Sequence, residues 1–125
     1  MSSVYNPFLI EEILDTEDTE DTANEPYPVQ ALQFGGDLTM VALGGEVVID
    51  SALRLKRDLG FTPVWVAGYS NDVMAYIPSK RVLKEGDYEG GGAMSFTNLP
   101  GPWRPGVEDL IIDATRDIVE RLRSP

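Results

Sequence analysis

Apolar and polar positions alternate over the stretch Pro28–Phe34, and this pattern predicts a half-buried strand. The glycine pair Gly35-Gly36 that follows is typical of a turn. The next run, Leu38–Leu43, is almost uniformly apolar, which predicts a second and more deeply buried strand. Because a short turn joins them, we expect the two strands to pair as a hairpin.

Helical spacing replaces strand spacing after Gly44-Gly45. Apolar residues recur there on one face, which predicts a helix from Glu46 to about Leu59. The stretch Thr62–Ala67 is short, apolar and β-branched, as expected of a buried strand. A second helix is predicted near the end of the chain, where apolar residues fall at helical spacing: Val107, Leu110, Ile111, Ala114, Ile118, Val119 and Leu122.

The predicted element order is β-β-α-β-long loop-α, an α/β fold of mixed α+β character. The loop runs from Gly68 to Gly106, which is unusually long for so small a domain. It carries Tyr69, Tyr76 and other aromatic residues, so we expect it to lie on a scaffold. Three strands and two helices are a thin scaffold, and the pattern therefore indicates a fragment of a larger layered α/β domain.

Charge is distributed unevenly along the chain. The formal net charge is −11, and Met1–Glu25 accounts for −8 of it, with eight acidic residues and no lysine or arginine. Within this stretch, Asp15–Thr22 is a low-complexity acidic repeat whose like charges repel and which buries too little apolar surface to become ordered. The sequence thus predicts a disordered acidic leader over residues 1–25 and a structured segment over residues 26–125.

Composition excludes several classes of function. The chain has no cysteine and no histidine, so it holds neither a Ser-His-Asp triad nor a cysteine- or histidine-based zinc site of its own. The acidic balance argues against a nucleic-acid partner. No apolar run is long enough for a transmembrane segment, and Met1–Ile10 lacks the basic start of a signal peptide. The localisation of the protein stays unassigned.

Two places could carry chemistry, and each has a structural alternative. Glu46 follows a glycine pair, so its carboxylate either stabilises a helix start or projects into a site that the glycines let a ligand or metal approach. Tyr69 and Tyr76 flank Ser70-Asn71-Asp72 just after a buried strand, where ligands often bind in layered folds. Tyrosines at such places also serve as half-buried packing.

Three segments resemble the neutral/alkaline (non-lysosomal) ceramidase family. They are Leu43-Gly-Gly-Glu46, the run from Trp65 through Gly-Tyr-Ser-Asn-Asp to Tyr76-Ile-Pro, and Glu85-Gly-Asp-Tyr88-Glu-Gly. The likeness covers roughly Tyr27 to Arg123, the C-terminal part of the family's catalytic domain. It is greatest to bacterial ceramidase-like hydrolases.

The resemblance implies a zinc-dependent amidase that cleaves N-acylsphingosine into sphingosine and a fatty acid. The family holds one zinc ion with two histidines, a glutamate and a tyrosine. Carried over by motif, Glu46 and Tyr76 are the glutamate and tyrosine ligands of the metal. Tyr88 is the catalytic tyrosine that donates a hydrogen bond to the scissile carbonyl oxygen. Arg104 or Asn71 is a candidate for supporting these groups.

The residues of the family pattern that this chain lacks indicate the expected partner. Both histidine ligands and the active-site serine belong to the family's N-terminal half, which has no counterpart here. The resemblance therefore implies the C-terminal portion of a zinc amidohydrolase for an N-acyl lipid such as ceramide, inactive as an isolated chain. The alternatives are one half of a split enzyme and a non-catalytic binding or structural module. Exposed apolar surface would favour the fragment or the split enzyme, and a compact two-state monomer would favour the module.

Overall fold

The fold of the computed structural model is a four-stranded mixed sheet with helices packed on it. The structure describes residues 9–15, 24–60, 63–72, 75–86, 90 and 103–123. The strands are β1 (Leu9–Asp15), β2 (Asn24–Phe34), β3 (Leu38–Leu43), β4 (Glu46–Val47), β5 (Val64–Ala67) and β6 (Tyr76–Ile77), and the helices are α1 (Ile49–Leu59), α2 (Lys80–Glu85) and α3 (Val107–Arg123). The order in the main sheet is β1-β2-β3-β5, and β4 and β6 pair separately. The mixture of helices with parallel and antiparallel strands is an α+β fold.

The predicted hairpin is confirmed. Strands β2 and β3 pair antiparallel, from Phe34 opposite Leu38 to Val29 opposite Leu43. Helix α1 then crosses over, so that β5 returns parallel to β3. The C-terminal helix is also confirmed, because α3 spans Val107–Arg123.

The predicted start of the first helix at Glu46 is wrong. Glu46 and Val47 form β4, and α1 begins at Ile49 with Val48 at its N-cap. The backbone is extended here because β4 pairs in parallel with β6. The long irregular stretch is likewise interrupted by β6 and by α2, whose N-terminus is capped by Ser79.

A further strand lies inside the acidic N-terminal segment. Strand β1 pairs antiparallel with β2 over its whole length, from Leu9 opposite Gln30 to Asp15 opposite Asn24. The expectation of disorder throughout residues 1–25 therefore does not hold for Leu9–Asp15, because the edge of β2 supplies backbone partners that local composition does not reveal. Residues 16–23, most of the acidic repeat, lie outside the described residues.

The helices cover one face of the sheet. Helix α3 packs against β1 and β2, and α1 packs against β5 and α3. The core between these layers contains Val29, Ala31, Val41 and Leu43 from the sheet, all fully buried, together with Leu55, Ile111, Ile112, Ile118 and Val119 from the helices. Among the described residues, no helix is long and apolar enough to cross a membrane.

The opposite face of the sheet is also apolar. Residues that alternate with the core positions fall on it, and the register places Leu32, Met40 and Trp65 side by side across three strands, with Phe34 opposite Leu38. We call these five residues the open face. Phe34 is 50% exposed and Trp65 61% exposed, so the described residues leave this face without a second layer. All-parallel sheets are usually covered on both sides, whereas antiparallel sheets can face water on one side, and this sheet contains both kinds of pairing.

Ion pairs link the helices across the covered side. Arg54 of α1 donates hydrogen bonds to Glu108 and to Asp109 of α3, and the Lys80 ammonium lies 2.7 Å from Asp109. Hydrogen bonds from Lys80 and Arg54 hold the pKa of Asp109 below its usual value. Because the charged carboxylate is favoured in the folded state, Asp109 stabilises the fold at neutral pH.

We expect acid to remove this stabilisation. The folded-state pKa of Asp109 lies below the unfolded-state value near 3.8, so its contribution is complete above that pH and is lost as the pH falls through the lower folded value. In urea unfolding at neutral pH, Asp109→Asn should lower stability by about 0.5–1 kcal/mol, and the deficit should shrink towards pH 3. Asp113→Asn, at an exposed site on the same helix, is the matched control. A stability loss in Asp109→Asn that does not change with pH would contradict the ion-pair explanation.

Candidate functional site

A glycine turn, Gly44-Gly45, connects β3 to β4 and organises the candidate site. Gly45 adopts a positive φ of 69°, and an added Cβ would lie 2.7 Å from Ile77 and 2.8 Å from the Ala75 carbonyl oxygen. The buried hydroxyl of Tyr27 donates a hydrogen bond of 2.7 Å to the Gly44 carbonyl, and burial raises the pKa of Tyr27. The turn is therefore closely packed and held from the β2 side.

Backbone hydrogen bonds join the glycine turn to the segment Gly68–Asp72, which we call the tyrosine loop. The Gly45 amide donates to the Asp72 carbonyl at 2.8 Å, and the Gly45 carbonyl accepts from the Tyr69 amide at 2.9 Å. The Ser70 amide donates to the Leu43 carbonyl at 3.0 Å. These three bonds fix the two segments as one frame, although they are more than 20 residues apart in sequence.

The structure brings the two predicted metal ligands together. Strands β4 and β6 are parallel, with Glu46 in direct register with Tyr76. Adjacent strands lie about 4.8 Å apart and residues in register face the same side, so both side chains leave the pair in the same direction. The Glu46 amide donates to the Ala75 carbonyl at 2.9 Å, and the Trp103 indole donates to the Tyr76 carbonyl at 2.9 Å. Because Glu46 is in a strand, its interpretation as a helix-start carboxylate is wrong.

Tyr69 lies close to Glu46. Interaction with the Glu46 carboxylate, together with desolvation, raises the pKa of the Tyr69 phenol. Sequence reasoning placed Tyr69 beside a strand end but did not connect it with Glu46, which lies in a different part of the chain.

The other candidate residues fall in different places. Tyr88, the predicted catalytic tyrosine, lies outside the described residues. The Asn71 side chain donates to Gln30 at 3.3 Å, so its amide is directed to β2 and not to Glu46. Arg104 is half-buried directly after Trp103.

An apolar groove adjoins the site on the side of α1. It has a volume of about 240 Å³ and is lined by Val47, Val48, Ile49, Ala52, Val66 and Gly68. Val47 directly follows Glu46, and Gly68 directly precedes Tyr69. The groove thus adjoins the strand and the loop that carry Glu46 and Tyr69.

The described residues do not form a zinc site on their own. Within the described ranges, no group of three or more histidine, cysteine, aspartate or glutamate side chains is placed to hold a metal ion. Glu46 and Tyr76 offer two oxygen ligands, whereas catalytic zinc sites use three protein ligands and usually include histidine nitrogen. Two such residues are fewer than a catalytic zinc site requires.

Comparison with known proteins gives no relative. No family model matches the chain, and neither a curated protein nor a solved structure matches it.

Proposed function

We propose that the chain is the C-terminal portion of the catalytic domain of a zinc-dependent amidohydrolase that resembles neutral ceramidase. The substrate class is an N-acyl lipid such as N-acylsphingosine, whose amide bond is hydrolysed. The chain supplies Glu46 and Tyr76 as ligands and Tyr88 as a catalytic hydrogen-bond donor. The histidine ligands come from an N-terminal portion, on the same or on a separate chain.

The register of Glu46 with Tyr76 is the observation that carries this proposal. The two residues were selected by motif alone, and 29 positions separate them in sequence. Their juxtaposition on neighbouring parallel strands depends on a two-stranded sheet that no local pattern predicted. The ligands of one metal ion must lie close together, and residues in register on adjacent strands do so.

The open face supports a fragment of a larger domain more than a self-sufficient binding module. A self-contained module would bury its large apolar side chains, and a row containing Phe34 and Trp65 at half exposure or more is a typical interaction surface. We propose that the missing N-terminal portion covers it. The same portion would bring the histidines to Glu46 and Tyr76.

The zinc ion and the residues of the chain would have different roles in the reaction. When bound, zinc lowers the pKa of a coordinated water to about 7 and polarises the substrate carbonyl. Glu46 and Tyr76, in register on adjacent strands, would hold the ion, with Tyr69 close to Glu46. A phenol at Tyr88 that donates to the developing oxyanion would contribute roughly 10²–10³ in rate.

The decisive experiment adds the missing portion. The DNA upstream of the Met1 codon is translated in all frames, and any histidine-bearing segment is co-expressed with this chain and assayed for sphingosine release with and without a chelator. The purified chain alone should be inactive, and the pair should be active. Glu46→Gln and Tyr76→Phe should reduce the activity of the pair at least 100-fold, whereas Asp113→Asn should not change it. Zinc-dependent activity of the isolated chain, or an inactive pair, would overturn the proposal.

The open face gives a separate prediction. We expect the isolated chain to bind a hydrophobic dye and to self-associate, because exposed apolar area is driven out of water at about 25 cal/mol per Å². Phe34→Lys and Trp65→Lys together should abolish dye binding and self-association, and should also abolish capture of the N-terminal portion. Leu110→Lys, at an exposed apolar site on α3, is the control. A wild-type chain that is monomeric, two-state and dye-free would instead support the non-catalytic module.

A further inference from the structure

We propose that two copies of this chain associate by pairing their β5 strands antiparallel, about a two-fold axis that passes through Trp65. In the part of the chain that the structure describes, β5 pairs with β3 alone. The side of β5 that faces away from β3, which we call the β5 edge, therefore has no strand beside it there. Pairing at this edge requires neither a metal ion nor the residues of the proposed zinc site.

Backbone groups of β5 alternate between β3 and the β5 edge. The Thr39 amide donates to the Pro63 carbonyl at 3.0 Å, and Thr39 lies opposite Val64 in the parallel register. Because successive peptide groups of a strand point in opposite directions, the N–H and C=O groups of Val64 and Val66 point away from β3. Pro63 has no N–H, but its backbone faces β3, so the β5 edge loses no donor.

A two-fold axis at Trp65 satisfies these four backbone groups. Two identical strands related by an axis perpendicular to the sheet run antiparallel, and this axis places Val64 opposite Val66 of the second copy. Each such pair exchanges two N–H···O bonds, so the two symmetric pairs form four. The two Trp65 residues face each other as the non-hydrogen-bonded pair, with Cα atoms about 4.5 Å apart. The β5 edge is thus complementary to itself, as a two-fold interface requires.

Exposed apolar side chains border the β5 edge on both faces of the sheet. Trp65 is 61% exposed on the open face. On the helix side, Val66 lines the apolar groove together with Ile49. Ile49 is 66% exposed, and Leu53, one turn further along α1, is 60% exposed. Stable interfaces bury about 1,200–2,000 Å² in total, and these side chains add apolar area to that of the strand pairing.

The charges along the chain distinguish the β5 edge from the opposite edge of the sheet. Strand β1 forms that opposite edge, and its sequence includes Glu11, Glu12 and Asp15. Strand β5, Val-Trp-Val-Ala, has no charged residue, and none occurs from Leu59 to Asn71. Proteins commonly protect sheet edges from pairing by placing charges on them. The sequence of β1 provides this protection, and that of β5 does not.

The same distribution of charge favours a second copy as the partner. Residues 1–25 carry −8 of the formal net charge of −11, and β1 belongs to this segment. In a dimer paired through β5, seven strand spacings separate the two β1 strands, a distance of roughly 34 Å. Charges this far apart are largely screened at physiological ionic strength, where the Debye length is about 8 Å. Two copies can therefore meet at β5 while their acidic edges stay apart.

Opposite charges at position 65 test the two-fold axis. In sedimentation experiments on the full chain, the wild type should be a dimer at micromolar concentration. Trp65→Lys and Trp65→Glu should each weaken dimerisation about 30-fold or more, because each removes the central aromatic residue and sets like charges opposite each other. An equimolar mixture of the two variants should restore the dimer. Phe34→Lys, at an exposed site of the open face on β2, is the control and should remain dimeric.

Amide hydrogen exchange tests the backbone pairing. The Val64 and Val66 amides should be protected in the wild-type dimer and unprotected in the Trp65→Lys monomer, whereas the Ala67 amide, which faces β3, should be protected in both. A monomeric wild type, a mixture that stays monomeric, or a dimer with unprotected Val64 and Val66 amides would overturn the proposal. Protection that appears only when another protein is added would assign the β5 edge to that partner and would also overturn it.

Discussion

Gly45→Ala should destabilise the chain by about 3 kcal/mol or more, as measured by urea unfolding. A left-handed backbone costs an L-residue about 1–2 kcal/mol, and overpacking costs about 1–3 kcal/mol in addition. Both apply here, because Gly45 has a φ of +69° and its new Cβ would lie 2.7 Å from Ile77 and 2.8 Å from the Ala75 carbonyl oxygen. Backbone oxygen cannot move aside as a flexible side chain would. The pairing of Glu46 with Tyr76 should be lost with the turn.

Gly35→Ala is the control for this substitution. Gly35 also has a positive φ, +58°, but nothing lies within 4 Å of its added Cβ. It should therefore carry only the backbone cost, about 1–2 kcal/mol. Equal losses at Gly35 and Gly45 would show that the close contact with β6 contributes nothing.

Trp103→Ala should cost about 3–5 kcal/mol, the range for removing a large aromatic side chain from a core. Trp103 is 1% exposed, and its indole is the donor that holds the Tyr76 carbonyl at 2.9 Å. The substitution opens a cavity and also releases β6, so the stability loss and the disorder of Tyr76 should appear together. Thermal unfolding and the NMR resonances of β6 measure the two effects.

The second tryptophan supplies the control. Trp65 lies on the open face at 61% exposure, so Trp65→Ala should cost less than about 1 kcal/mol in the isolated chain. Trp103→Phe retains most of the buried surface and loses the hydrogen bond to Tyr76, and its cost should lie between the other two. A large loss at Trp65 with a small loss at Trp103 would contradict the assignment of core and open face.

Sequence patterns predicted the elements that are long enough to show a periodic spacing of apolar residues. The hairpin of β2 and β3 has clear strand patterning and a turn at Gly35, and α3 has more than four turns of helical spacing. Strands β4 and β6 have two residues each, which is too short for any period. Val47 and Val48 fit the apolar face of a helix as well as a strand. The pairing of Val47 with the distant residue Ile77 makes this segment a strand.

The candidate site could be predicted only in part, because its residues come together through pairing between distant segments. Motif resemblance selected Glu46 and Tyr76, but their register follows from a pairing between distant segments. Nothing local links Tyr69 to Glu46, because their proximity depends on the frame that joins the tyrosine loop to the glycine turn. Hydrophobicity alone also cannot tell which face of the sheet the helices cover, since Met40 and Val41 are both apolar neighbours on β3.

The continuity of β3 with the glycine turn has a thermodynamic consequence. Strand β3 contributes Met40 to the open face, ends at Leu43, and receives the Ser70 amide there. A partner that covers the open face stabilises β3 against local opening by mass action. The same opening would break the bonds that hold the tyrosine loop near Glu46, so partner binding suppresses fluctuations of the carboxylate as well. Assembly and the order of the candidate site are therefore linked equilibria, and each should strengthen the other.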